Sequence, residues 1–242
     1  MTQNKQRERE DLFKKFDIKQ LKKKKRNRTR RQAMYFVTIQ STEVIKRIFD
    51  FTLTLIFLII FSPVFIFTGF AIVLENPGPI FYSQTRVGKK GRHFDFYKFR
   101  SMVVGADKMK DELLENNESA DGVIFKMKDD PRITKTGRFI RRFSIDELPQ
   151  LINILKGDMS LVGPRPPIPR EVDDYSLDDR KRLNVIPGIT CIWQVSGRSD
   201  IPFDEQVELD SEYIGKHNPS IWDDIKLLLK TIGAVLSGNG AY

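Results

Sequence analysis

The residues best suited to covalent chemistry lie in one run, Arg138 to Pro167, which reads RFIRRFSIDELPQLINILKGDMSLVGPRPP. Asp146 and Glu147 are adjacent carboxylates. One carboxylate held ionised is a nucleophile, and a second beside it can hold a metal ion. Cations flank the pair: Arg138, Arg141 and Arg142 before it, Arg165 after it, and Lys98 and Arg100 in the separate run YKFRSM. Guanidinium forks match phosphate oxygens, so the group has the composition of a phosphate-handling site. Arg165 stands between Pro164 and Pro166, which stiffen its backbone. A plainer reading is also open, in which the two acids complement a helix dipole and each arginine is a solvated surface charge.

The elements that must position these residues follow from pattern. Ser144 with Glu147 three residues later predicts a capping box. The helix it starts carries apolar residues at 148, 151, 152 and 155, with Pro149 near its beginning. Both carboxylates then fall in the first turn, where the dipole favours their ionised forms. Asn76-Pro77-Gly78-Pro79 is a turn, and Ile80–Arg86 and Phe94–Phe99 read as strands joined by a loop at Gly88–Gly91. Ala106–Asn116 reads as a solvated helix, Ile189–Val195 as a short strand and Phe203–Ile214 as a helix. Ser220 caps an amphipathic helix to Leu236 whose Trp222, Ile225, Leu229, Ile232 and Leu236 share one face. That face suits a core or a membrane interface.

Ahead of this region Phe51–Leu74 runs 24 residues without a charge. As a helix it is about 36 Å long, enough for a bilayer core of about 30 Å. Ser62-Pro63 interrupts it midway, where proline removes a backbone donor and predicts a kink or break. The Ser62 hydroxyl is the candidate partner for a freed carbonyl. Basic residues flank both ends, Lys46 and Arg47 before and Arg86, Lys89, Lys90 and Arg92 after. The positive-inside rule keeps both ends on the cytoplasmic face of the cell membrane, which a hairpin bent at Ser62-Pro63 satisfies and a spanning helix does not.

Composition narrows the classes. The 242 residues are 40% hydrophobic, enough for a folded domain. The net charge of +9 is uneven: residues 1–50 hold 16 Lys/Arg against six acids, and the remainder 25 against 26. Eight of the ten residues Lys22–Arg31 are basic. The basicity therefore belongs to a tail, expected to be disordered, and a nearly neutral body argues against nucleic acid as a partner. An anionic membrane surface fits the tail, at about 1 kcal/mol per Lys or Arg; an acidic partner is the alternative. The single Cys191 permits no internal disulfide, and His93 and His217 have no metal-ligand spacing. P-loop, dinucleotide and nucleophile-elbow motifs are absent from the sequence.

The order YKFRSM, then TKTGRFIRRFSIDELPQLINILKGDMSLVGPRP, then VIPGITCIWQVSGR resembles the bacterial sugar transferases, the monotopic phosphoglycosyl transferases. The resemblance covers about Lys46 to Tyr242 and omits the tail. It implies transfer of a sugar 1-phosphate from a UDP-sugar to undecaprenyl phosphate with release of UMP, the first membrane step of capsule, exopolysaccharide or O-antigen synthesis. It implies an Asp-Glu pair, matched here by Asp146 and Glu147, and Mg²⁺ as cofactor; on that mechanism residue chemistry assigns Asp146 as nucleophile, Glu147 to the metal, and Arg165 with Lys98, Arg100 and Arg198 to the phosphates and nucleotide. It also implies a re-entrant helix bent at Ser62 and Pro63. The expected architecture is thus α+β and predominantly helical: tail 1–45, re-entrant helix 46–75, and a cytoplasmic catalytic domain 76–242 with interfacial amphipathic helices. The run LLLKTIGAVLSGNGAY resembles the galactose or glucose branch. Self-association is neither implied nor excluded. A membrane-anchored scaffold without activity is the competing class, and it would make no use of the carboxylate pair.

Overall fold

A computed structural model describes residues 2–106, 108–109, 130–197, 201–215 and 220–237. The chain divides into two compact units, Met1–Lys46 and Arg47–Tyr242. Helix α1 is assigned over Thr2–Glu75 and so contributes to both. The tail expected to be disordered is therefore helical. Its composition explains this: Lys, Arg, Gln and Glu are good helix formers, neither glycine nor proline occurs before Pro63, and an existing helix propagates at little cost.

In the second unit the helical assignment continues through Pro63. The Ser62 hydroxyl donates to the carbonyl of Ile59 at 2.8 Å, the oxygen that the missing N–H of Pro63 leaves without its helical partner. The hydroxyl thus has the role expected for it, and the helix is not broken into two elements. Both flanks of the apolar run dock on the same globular body. On the first flank the Arg47 guanidinium donates to the carbonyls of Ile154, which also accepts the capping Gly157 N–H, and Leu155, at the end of helix α3 (Gln150–Lys156). Asp50, also buried, accepts from the Ser160 hydroxyl at 2.7 Å and the Leu161 N–H at 3.4 Å in strand β3 (Ser160–Val162). On the second flank Phe65 lies 5.3 Å from the Phe99 ring, and Ile72 is buried with Phe99 and Ile140. The Glu75 carboxylate accepts the N–H groups of Lys135 and Thr136, each at 2.7 Å, at the start of helix α2 (Lys135–Arg142), where a negative charge is favoured. Between the flanks Ile59, Ile60, Ile66, Phe67 and Phe70 are exposed.

The body is α+β and predominantly helical, as expected. Strands β1 (Phe81–Val87) and β2 (His93–Phe99) form an antiparallel hairpin whose register runs from Phe81 opposite Phe99 to Val87 opposite His93. After β3 come helix α4 (Pro169–Asp173), strand β4 (Gly188–Thr190), helix α5 (Ile192–Ser196), helix α6 (Phe203–Gly215) and helix α7 (Ile221–Ser237). β3 and β4 pair in parallel, and they approach so closely that a Cβ on Gly188 would lie 2.1 Å from the Gly163 nitrogen. The strand expected over Ile189–Val195 is split into β4 and α5, because Thr190 is the last residue to pair with β3. Most of the expected Ala106–Asn116 helix lies outside the described residues.

The main core joins Phe94, Phe96, Leu151, Ile154, Met159, Leu161, Val162 and Tyr213. Phe49, Leu53, Phe57 and Leu58 of α1 and Leu227 and Leu228 of α7 pack against it. Leu148 touches this cluster and the second one around Phe99, so the docking sites of the two α1 flanks are continuous. On α7 the Ser220 hydroxyl accepts from the Trp222 N–H at 3.2 Å, as a cap should. The apolar face read from the sequence is turned outward: Trp222, Leu229, Ile232 and Leu236 are exposed, while buried Asp224 bonds the Tyr213 hydroxyl on the opposite side.

Candidate active site

Helix α2 ends where the Phe143 and Ser144 N–H groups donate to the carbonyls of Phe139 and Arg141. Ser144 then takes a left-handed conformation, φ 52°, which is costly for a residue with a Cβ. The chain reverses there, and Ile145–Glu147 forms a single 3-10 turn. The expected capping box does not form. The Glu147 N–H reaches the Ser144 backbone carbonyl at 3.2 Å, and the Glu147 side chain is turned away toward Lys98. The helix expected from Ser144 begins instead at Gln150, after Leu148-Pro149. The carboxylate pair therefore sits on a short connector between two helices.

The hairpin supplies the facing cation. Lys98, opposite Tyr82 near the end of β2, places its ammonium 2.8 Å from Glu147 Oε1 and 3.5 Å from Asp146 Oδ2. Arg165, in the stiff segment after β3, brings Nη1 to 3.6 Å from the same Glu147 oxygen. Asp146 is 7% exposed. Burial pushes its carboxyl above the ordinary aspartate range, Lys98 pulls it back and the Glu147 charge raises it again. Expectation and structure differ in sign here, because desolvation at this turn outweighs any helix dipole.

Lys98, Arg165, Asp146 and Glu147 are thus brought together as expected. Arg100 lines the same cavity, but its Nη2 donates to the Asn76 carbonyl and its Nη1 is buried without a hydrogen-bond partner among the described residues. Gly78, at φ 144°, makes room for it: a Cβ there would lie 2.5 Å from Arg100 Nη1. Arg100 therefore also fixes the 76–79 turn. Arg198 lies outside the described residues, as does His217.

The cavity has a volume of about 1140 Å³ and contains cations that sequence reasoning passed over. Arg86 donates to the Pro166 carbonyl at 3.1 Å and to Gln84 Oε1 at 2.8 Å, with its guanidinium 5.3 Å from the Phe96 ring centre. Burial, with Arg165 nearby, pushes it down to about 10. Arg182 pairs with Asp210 at 2.6 Å and donates to the Tyr175 hydroxyl at 3.1 Å, and burial raises Asp210 to about 6. Arg141, named from sequence only as a neighbour, holds the Ser101 hydroxyl at 2.9 Å, and burial lowers its pKa. A signal for Arg86 existed. Residues 82, 84 and 86 alternate onto the hairpin face that carries Lys98, so strand period and register together reach Arg86.

Among the described residues no group of three or more His, Cys, Asp or Glu is placed to hold a metal ion. Mg²⁺ is usually held by one or two carboxylates, its other positions filled by water and substrate phosphate. The Asp146–Glu147 pair, with both carboxylates on one ammonium, fits an ion that arrives with a diphosphate and does not form a cage in advance.

Comparison with known proteins matches residues 41–238 to the family described as Bacterial sugar transferase. The chain is 51% identical over 199 residues to the galactosyl transferase CpsE of Streptococcus agalactiae, covering 82% of this chain and 43% of that protein. It is 46% identical over 206 residues to the undecaprenyl-phosphate galactose phosphotransferase of Salmonella typhimurium, covering 84% and 43%. It is 38% identical over 200 residues to the exopolysaccharide production protein ExoY of Sinorhizobium fredii, covering 81% and 88%. The chain thus spans less than half the length of the first two relatives and most of the third. The match runs from the end of the basic tail through the apolar helix and the carboxylate pair to the end of α7, and this chain belongs to the bacterial sugar transferase family.

Proposed function

We propose that the protein transfers a hexose 1-phosphate from a UDP-sugar to undecaprenyl phosphate, releasing UMP. The observation that carries this reading is the buried carboxylate of Asp146, set at a cationic cavity beside Lys98, Glu147 and Arg165. An Asp146 oxygen attacks the phosphorus bonded to the sugar, the bond from that phosphorus to the UMP oxygen breaks, and UMP departs with the electron pair. An oxygen of undecaprenyl phosphate then attacks the same phosphorus and the Asp146–phosphorus bond breaks. The carboxylate is restored and neither step needs a proton. Lys98 and Arg165 balance the charge of the donor diphosphate, with Arg86 and Arg141 within the same cavity. When bound, Mg²⁺ held by Glu147 would supply further charge neutralisation there. The names of the two relatives with highest identity quoted above favour galactose as the hexose.

The membrane topology belongs to the same reading. Both flanks of the apolar run, at Arg47 and Glu75, are bound to one body, and the stretch between them exposes large aliphatic and aromatic side chains. This supports a monotopic, re-entrant helix with the body on the cytoplasmic face of the inner membrane. The outward face of α7 supports an interfacial position for that helix. The basic tail would add attraction to anionic headgroups. Deleting residues 1–40 is expected to weaken binding to anionic vesicles and not to neutral ones; equal binding removes that role.

The test of the chemistry is mass spectrometry of the enzyme incubated with donor alone. A hexose-phosphate adduct on the peptide bearing Asp146 is expected, and its absence across a panel of UDP-sugars that release UMP overturns the mechanism.

A further inference from the structure

The cavity has walls of two kinds. One carries Asp146, Glu147, Lys98 and the guanidinium groups. The other is apolar, made by Phe57, Phe61 and Val64 of α1 and by Leu228, Ile232 and Val235 of α7. Each trio is spaced i, i+4, i+7, so each forms one stripe along its helix. The Phe57 and Phe61 rings meet edge to face with centres 6.1 Å apart. Neighbouring contacts hold the α7 stripe in place: the Thr231 hydroxyl shares a hydrogen bond of 2.8 Å with Thr190, and Leu227 and Leu228 pack on the main core. Ile232 remains exposed at this wall. A UDP-sugar is polar from base to hexose, with its charge on the diphosphate, and has no aliphatic portion to lie along two apolar stripes. The acceptor is the substrate with matching halves, a phosphate for the cations and an isoprenoid chain for the stripes.

We propose that the seam between α1 and α7 receives the first isoprene units of the acceptor and delivers its phosphate to Asp146. This rests on the two-step transfer proposed above and adds that α7 acts in the second step alone. Two variants, Val235→Trp on one stripe and Phe61→Trp on the other, each fill the seam while leaving the polar wall unchanged. The full chain, purified in detergent and returned to vesicles, is assayed in two stages. UMP released in a single turnover from UDP-galactose without acceptor reports the first step. Loss of the phosphosugar adduct on addition of undecaprenyl phosphate reports the second, with geranyl phosphate, a short-chain carrier, run in parallel.

Both variants are expected to keep the first step within about twofold of the unaltered chain. Discharge by undecaprenyl phosphate is expected to fall by about tenfold or more, and discharge by geranyl phosphate to fall less. Unchanged discharge, or equal loss in both steps, overturns the seam. If Val235→Trp loses its cooperative melting transition, Phe61→Trp decides the matter alone. An unaltered chain that releases no UMP from any UDP-sugar refutes the two-step reading instead, so the two failures are distinguishable.

Discussion

Asp130 and Asp146 are both buried aspartates facing cations, and the protein holds them in opposite ways. Asp130 accepts from the Arg132 backbone N–H at 3.0 Å, from its Nε at 2.9 Å and from its Nη2 at 2.6 Å. Those bonds keep its carboxyl below the ordinary aspartate range. Asp146 meets Lys98 at 3.5 Å, and that ammonium lies closer to Glu147. Burial then prevails and the carboxyl is pushed up. The difference shows that a nearby cation does not settle a carboxylate's state; the number and closeness of its donors do. Asp130 is saturated and works as a fastener. Asp146 is under-supplied and keeps lone pairs for an electrophile.

The sharpest way to break this contrast is to remove each charge in turn. Asp146→Asn is expected to lower sugar transfer by about a thousandfold or more without lowering the thermal midpoint. Asp130→Asn is expected to cost about 3 kcal/mol in denaturant unfolding while the folded fraction remains active. Radiolabelled hexose in the lipid fraction reads the first and equilibrium unfolding the second; a fully active Asp146→Asn enzyme ends the comparison. Next in size is Lys98→Met, expected to lower UMP release about a hundredfold in a single-turnover assay, because the pair loses its shared ammonium.

pH separates the two aspartates further. The folded pKa of Asp146 lies above its unfolded value, so its stabilising contribution is present below the ordinary aspartate pKa and is lost as pH rises through the folded one. Asp130 is the reverse: its contribution is present above the ordinary pKa and is lost as pH falls through its lowered folded value. Thermal melts are therefore expected to show Asp146→Asn more stable than the unaltered chain at neutral pH, with the gain vanishing in acid. The deficit of Asp130→Asn should shrink in acid. The smallest effect is at Ser144, where glycine relieves a left-handed backbone and is expected to add about 1 kcal/mol, with UMP release little changed.

Much of this site was readable from residue order, because Asp146, Glu147 and Arg165 lie close together in the chain and Lys98 stands in a recognisable hairpin. What escaped depended on tertiary context. The pattern Ser144…Glu147 carries a capping box equally well in either setting, and the distant Lys98 draws the glutamate away from it. Arg86 and Arg182 look like solvated charges until strand register and the packing of Asp210 bring them inside. The α7 stripe had the spacing of a core face, yet the buried Asp224 turned the helix so that Trp222 faces outward. The helical assignment of the tail follows from a different source, the helix propensity of its Lys, Arg, Gln and Glu residues, which a charge count does not register.

The fastening of α1 at Arg47 and again at Glu75 has a consequence for biogenesis. A segment secured to the same folded mass at both ends offers no loose terminus to thread through a bilayer. On the proposed topology it can enter the lipid sideways, as a wedge, after the domain has assembled. No charged loop has to be carried to the far side, so insertion would proceed without drawing on the electrical potential across the membrane.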